Sequence, residues 1–395
     1  SLLRAPYPML RALSTGGPPC LRLCMVPAAH RVPVPGAPRP PPRVAATRAP
    51  GGVPGLRRLP AAARALRQPP RTRKLHVSQH SVRAAAAGGG SGLAAGGGEG
   101  LSLPGSSEFL TLKSTGVKLH CRVAGPADGE LLLFLHGFPE LWYSWRHQLD
   151  YFAELGYRCA AVDMRGYNLS DRPAGVASYG MGVLCQDVED MVYALGRERG
   201  TVVGHDWGGG IAWTTAMRHS DVVERLVVLN CAHPAVFSEA LETGNMGQIL
   251  KSWYIGAFQL PLLPEAIMCA GGGAILKSFI RGDLVDKASF SDQDIQVYTA
   301  AICIPGAATA TISYYRALLP AALRRLRGEG AVWESVEGSA IQMPTLVVWG
   351  KQDRYFDPAV MTRECLEGRV ADLTFAEIEG ASHWVQTEAP GPVNG

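Results

Sequence analysis

The segment Gly204-His205-Asp206-Trp207-Gly208 stands where an apolar, strand-like run (residues 201–204) passes directly into a helical stretch from about Gly208 to His219. A Gly-x-Asp-x-Gly segment at such a junction sets its central residue on a tight turn. The flanking glycines let neighbouring backbone come close while the Asp206 side chain projects above the sheet. Two plainer readings share these residues. Asp is favoured as a helix cap, and a Gly-rich turn can cradle phosphate, although no Lys-Ser/Thr follows here.

The surrounding pattern repeats the strand-to-helix unit. Residues 109–113, 117–123, 131–135, 157–162, 201–204, 225–231, 345–349 and 373–378 read as strands, and 142–155, 183–195 and 208–219 as helices. A short helix is expected after Pro358. Strand and helix alternate on both sides of a long, largely helical interruption, which predicts an α/β fold with a mostly parallel sheet and an inserted helical cap over about 234–342.

Charge divides the chain unevenly. Residues 1–98 hold fifteen of the 38 Lys and Arg and no acid, so the remainder carries 23 bases against 34 acids, a net of −11. The overall +4 is therefore no sign of a nucleic-acid partner. Sixteen of the 29 prolines also fall before residue 71. Residues 1–100 are thus expected to be a disordered basic segment ending in a Gly-rich linker, and 101–395 the folded domain. An Arg-rich, acid-free start is the composition of a transit peptide for plastid or mitochondrion, with processing near Val82-Arg83-Ala84; a plain disordered tail on a cytoplasmic protein is the alternative. The nine cysteines are odd in number and, in the body, scattered without C-x-x-C pairing, which points away from zinc or a disulfide framework. No run reaches the roughly 18 apolar residues of a membrane span.

Three further segments complete a chemical set. His136-Gly137-Phe138-Pro139 follows the buried run 131–135, where backbone N–H groups of Phe138 and Trp207 can converge on one oxyanion. Asp353 follows 345–349, and His383 follows 373–378. Each lies at the carboxyl end of its strand, the side on which open parallel sheets bind ligands. Taken singly, each is an ordinary turn or surface residue. Together they give the chain order nucleophile, acid, histidine.

On these motifs the chain resembles the epoxide hydrolases of the α/β-hydrolase superfamily, of the soluble type. The resemblance covers residues 109–390, with HGFPELWYSWR at 136–146, DMRGY at 163–167 and GHDWGG at 204–209. It implies Asp206 as nucleophile, His383 and Asp353 as its charge-relay partners, and cap tyrosines Tyr315 and Tyr254 as proton donors. It further implies Phe138 and Trp207 as the oxyanion hole, and His136, Pro139 and Trp207 against the substrate. Family members continue with a last helix beyond the segment at 388–394, so a loosely anchored His383 loop and a less stable domain are expected.

The aspartate narrows the chemistry by itself. A carboxylate is already ionised and needs no base to attack, but on an ester carbonyl it would form an anhydride that readily reverses. On a saturated carbon bearing a leaving group it gives a stable alkyl ester, so epoxides or alkyl halides are expected. An epoxide oxygen leaves poorly without a proton, which a tyrosine pair supplies. Haloalkane dehalogenases usually have Glu or Asn where Phe138 stands, and fluoroacetate dehalogenases have Arg after the nucleophile where this chain has Trp207. The expected activity is hydrolysis of a small apolar epoxide by water, with no metal or cofactor. The alternatives are a haloalkane dehalogenase using the same triad and a non-catalytic ligand-binding protein of this fold.

Overall fold

The computed structural model describes residues 103–320, 323 and 340–395. The expectations for residues 1–100, including import and processing, and most of the cap's last part lie outside the described residues.

An eight-stranded sheet in the order β1-β2-β4-β3-β5-β6-β7-β8 organises the described chain. Its strands are β1 (Ser106–Thr111), β2 (Lys118–Ala124), β3 (Leu131–Leu135), β4 (Arg158–Val162), β5 (Gly200–His205), β6 (Val223–Leu229), β7 (Thr345–Gly350) and β8 (Leu373–Ile378). β2 runs antiparallel to β1 and β4, and every other pairing is parallel. β3 (LLLFL) is buried at all five positions, as a parallel strand covered on both faces must be. Its side chains alternate between two apolar layers. Leu133 and Leu135 join one layer, and Leu132 and Phe134 the other. Register then fixes the functional end: Leu135 pairs with Gly204, so the loop after β3 lies beside the turn after β5.

Three helices flank the core strands: α1 (Arg146–Glu154), α2 (Met181–Ala194) and α3 (Trp207–Arg218). The helix expected from residue 142 begins instead as a 3-10 turn over Trp142–Trp145. Local bonds account for it. Trp142 N–H donates to Asp163 Oδ1 at 2.9 Å and Ser144 Oγ to the Leu141 carbonyl at 2.7 Å, which commits this turn to its neighbours before the α-helical ladder starts. Between β6 and β7 come α4 (Pro234–Glu242), α5 (Met246–Lys251), α6 (Trp253–Ala257), α7 (Leu263–Cys269), α8 (Ala274–Asp283), α9 (Asp292–Ile302) and α10 (Ala307–Arg316). The short helix after Pro358 is a 3-10 turn, Pro358–Val360.

The chain after His383 forms α11 (Val385–Glu388) and α12 (Pro390–Asn394). The expectation of a loosely anchored His383 loop is not met. Glu388 Oε2 accepts from Ser382 N–H at 2.6 Å, while its Oε1 accepts from Val285 and Asp286 N–H at 2.7 and 3.1 Å, clasping this loop to the end of α8. Asn394 Oδ1 accepts from Gln148 Nε2 at 2.9 Å, and Val393 is buried.

Leu133 lies at the centre of the sheet with no exposed surface. Leu133→Ala is expected to lower unfolding free energy by about 2–5 kcal/mol, measured by chemical denaturation; a loss below ~1 kcal/mol would contradict the packing described.

Candidate active site

Asp206 sits between β5 and α3 with φ 50° and ψ −119°, a backbone conformation that L residues rarely adopt. The turn is possible because its neighbours lack side chains. A Cβ on Gly208 would lie 2.2 Å from the Leu135 carbonyl oxygen, and one on Gly137 would lie 2.5 Å from Asp206 Cβ. Glycine at these two places lets the loops after β3 and β5 touch. In that contact Phe138 N–H donates to Asp206 Oδ1 at 2.7 Å.

His383 faces the other carboxylate oxygen, its Nε2 being 3.7 Å from Asp206 Oδ2. Its Nδ1 lies 2.8 Å from Asp353 Oδ2. Asp353 is buried and fully engaged: Asn230 Nδ2 donates to Oδ2 at 2.7 Å, and the N–H groups of Tyr355 and Phe356 donate to Oδ1 at 2.7 and 3.1 Å. Burial opposes charge at all three groups, but the ion pairs win. Burial works to raise the Asp206 and Asp353 carboxyls, yet their contacts with His383 hold both below the usual carboxylate range. Burial works to lower His383, and the Asp353 and Asp206 carboxylates hold it well above the usual histidine value.

Above Asp206 lies a cavity of about 250 Å³ lined by Phe138, Tyr254, Phe258, Tyr315, His383 and other, mainly apolar, side chains. Tyr254 from α6 and Tyr315 from α10 meet edge to face with ring centroids 5.8 Å apart. Burial first, then the Asp206 charge, pushes both phenols up, so each keeps its proton. Trp207 lines a smaller adjoining cavity of about 60 Å³ that also reaches Asp206 and both tyrosines.

Two expected substrate contacts are corrected. His136 is buried without exposed surface, with Nδ1 2.8 Å from the Gly137 carbonyl and Nε2 accepting from Met164 N–H at 3.1 Å. It braces the loop from below and does not line either cavity. Pro139 is likewise buried and off the cavity walls, because the chain turns inward after Phe138.

The geometry has counterparts among known proteins. Residues 130–390 match the alpha/beta hydrolase fold family. Epoxide hydrolase 2 of Caenorhabditis elegans is 37% identical over 295 residues, 73% of this chain and 77% of that protein. Epoxide hydrolase 3 of Xenopus tropicalis is 35% identical over 303 residues, covering 74% and 77% respectively. The crystal structure of the Bacillus megaterium epoxide hydrolase in complex with an inhibitor superposes with a TM-score of 0.65 at 34% identity, over 73% of this chain and 97% of that one. This chain belongs to the epoxide hydrolases of the α/β-hydrolase family.

Within this epoxide hydrolase, the sequence reading missed the support beneath the triad. Glu140 is fully buried and accepts from Gly137 N–H at 2.8 Å, from Gln386 Nε2 at 2.9 Å and from His205 Nδ1 at 2.8 Å. The other His205 nitrogen lies 2.9 Å from the His383 carbonyl oxygen. The loops bearing Phe138, Asp206 and His383 are thereby tied to one buried carboxylate. An acid inside HGFPE, just after the Gly137 turn, was the available signal. Asn230 was also missed, although it directly follows β6 at the ligand-binding edge of the sheet.

Gly137→Ala is expected to preserve the fold and displace the Asp206 carboxylate. A shift approaching 1 Å costs on the order of 10²-fold in epoxide turnover. Steady-state kinetics alongside thermal melting checks this, and full activity in the variant would contradict the contact.

Proposed function

We propose that the chain converts an apolar epoxide to a vicinal diol in two steps through an alkyl ester on Asp206. The observation that carries the reading is the placement of one ionised carboxylate and two protonated tyrosines in the same apolar cavity. In the first step an Asp206 oxygen attacks a ring carbon and the C–O bond breaks. Tyr315, with Tyr254 beside it, donates a proton to the departing oxygen. Assistance of this kind is worth about 10²–10⁴-fold. In the second step His383 takes a proton from water, which attacks the ester carbonyl of Asp206. The N–H groups of Phe138 and Trp207 hold the oxyanion, each worth roughly 3 kcal/mol in comparable sites. The ester then collapses: His383 gives its proton to the departing alkoxide, takes up the proton left on the Asp206 carboxyl, and the diol leaves.

The charges supply the timing. In the resting site two carboxylates hold His383 protonated. Ester formation removes the Asp206 charge, so the histidine value falls; its proton goes to restore the Tyr315 phenolate, and a neutral base is then available for water. A halide would need no proton donor, and the tyrosine pair favours the epoxide over the dehalogenase reading.

A single turnover in heavy-oxygen water tests the covalent route. Label is expected in an Asp206 carboxylate oxygen and not in the diol; labelled diol with unlabelled Asp206 would refute the ester. A haloalkane converted without epoxide turnover would favour the dehalogenase, and absence of any adduct the binding protein.

Removal of the Asp206 charge gives a second test. In Asp206→Asn the His383 ring is expected to titrate at lower pH than in the parent, followed by NMR of the imidazole. An unchanged or raised value would show that Asp206 does not hold the histidine charged.

A further inference from the structure

We propose that the cap docks on a lipid bilayer surface through an apolar rim around the mouth of the active-site cavity. The enzyme would then draw epoxides dissolved in the membrane directly into the site. Naming the cargo rests on the functional reading above; the docking itself does not.

Six side chains line the cavity yet stay open to solvent: Trp253, Leu260, Leu263, Ile267, Ile275 and Phe279. Trp253 is 69% exposed, and Leu263 and Ile275 are each 52% exposed, so these residues form the mouth and not the interior. Leu250, beside Trp253 in an adjoining recess, and Leu262, next to Leu263 in the chain, extend the apolar surface outward at 66% and 78% exposure. Soluble proteins rarely leave so many large apolar residues contiguous unless the surface binds something.

The two rim helices carry apolar residues on both sides. α8 buries Leu276 and Ile280 in the cap while presenting Ile275 and Phe279 outward; α7 buries Met268 and presents Leu263 and Ile267. Among the described residues no single helix is long and apolar enough to cross a membrane. Two bent pairs do reach that hydropathy, Leu263–Gly272 with Ala274–Asp283 at 92° and Asp292–Ile302 with Ala307–Pro320 at 79°. The second is largely buried, and only the first presents its apolar residues at the rim. Short apolar helices joined at a right angle suit insertion into an interface and not a crossing.

The position of the rim decides the occupant. It surrounds the substrate entrance, so a protein partner or a folded-back tail seated there would close the route. A fluid bilayer covers the same surface and still passes apolar solutes. Lys251 and Arg354 border Leu250 and Trp253 around an adjoining recess. Lys251 Nζ also donates to the Asp353 carbonyl at 3.3 Å. Arg354 lies 3.7 Å from Asp283 with its side chain 67% exposed, so the Arg354 guanidinium is the cation open to lipid phosphates beside the aromatic and aliphatic residues that enter the acyl region.

Flotation of the full chain with phosphatidylcholine vesicles tests the inference. A vesicle without net charge excludes simple attraction of the basic N-terminal segment. The full chain is expected to float with the vesicles and to remain bound in high salt. Leu250→Glu and Leu262→Glu, made singly, should each weaken partition about tenfold. Turnover of a vesicle-dissolved epoxide should fall in parallel, while turnover of a water-soluble epoxide stays at the parental value. Two separate variants keep one misfolded protein from deciding the result. A parent that stays in solution, variants that float like the parent, or a dimer that the variants dissolve would each overturn the proposal. Bound protein that turns over no epoxide would refute the functional reading and leave the docking standing.

Discussion

The paired charges of Asp206, His383 and Asp353 are the constraint around which the rest of the site is arranged. Three titratable groups sit together away from bulk water, and none could remain ionised there alone. Breaking one partner of such a buried set typically costs about 3–5 kcal/mol, because the remaining charge is left without an opposite. The surroundings answer each charge with donors. Asp353 receives three from Asn230 and the Tyr355–Phe356 backbone, and Asp206 receives the Phe138 N–H. The site therefore stores an excess of one negative charge in a low-dielectric place, poised against a neutral, apolar cavity.

That arrangement depends on how closely the strand ends approach. The sheet order sets β5 next to β3 on one side and β6 on the other, with β7 and β8 beyond. Glycines at 137 and 208 remove the side chains that would hold the first two loops apart, and Asp206 takes the strained backbone that results. Glu140 then closes the assembly from below through His205 to the His383 loop. Strain at the nucleophile is tolerable because the hydrogen bonds around it over-determine its position.

The parts legible in sequence were those governed by short-range patterns. Continuous apolar runs gave β3 and the later parallel strands within a residue or two. The glycine spacing marked the elbow, and the order of Asp206, Asp353 and His383 marked the triad. Long-range pairing was not legible. The family resemblance put His136 against the substrate, but its ring nitrogens are taken by the Gly137 carbonyl and the Met164 N–H. Pro139 shares that inward turn. Glu140, Asn230 and Glu388 act through partners far away in sequence, so even the place of Glu140 inside HGFPE does not say which groups it binds. The anchoring of the His383 loop was misjudged for the same reason, since Glu388 reaches across to Val285 and Asp286 of the cap.

The cap and the sheet divide the chemical task between opposite environments. The sheet edge supplies a buried anion and its hydrogen-bond frame, which suits attack on carbon and, later, activation of water. The cap supplies protonated phenols whose release of a proton to water is disfavoured by burial and by the Asp206 charge. In the proposed reaction these phenols would give a proton only to something more basic than a phenolate, and the alkoxide of an opening epoxide meets that condition where a halide does not. The same burial that keeps the tyrosines protonated makes the cavity apolar, so substrate selection and proton donation follow from one physical cause. An ester substrate would gain nothing from these donors, because the anhydride formed on Asp206 would fall back faster than water could reach it.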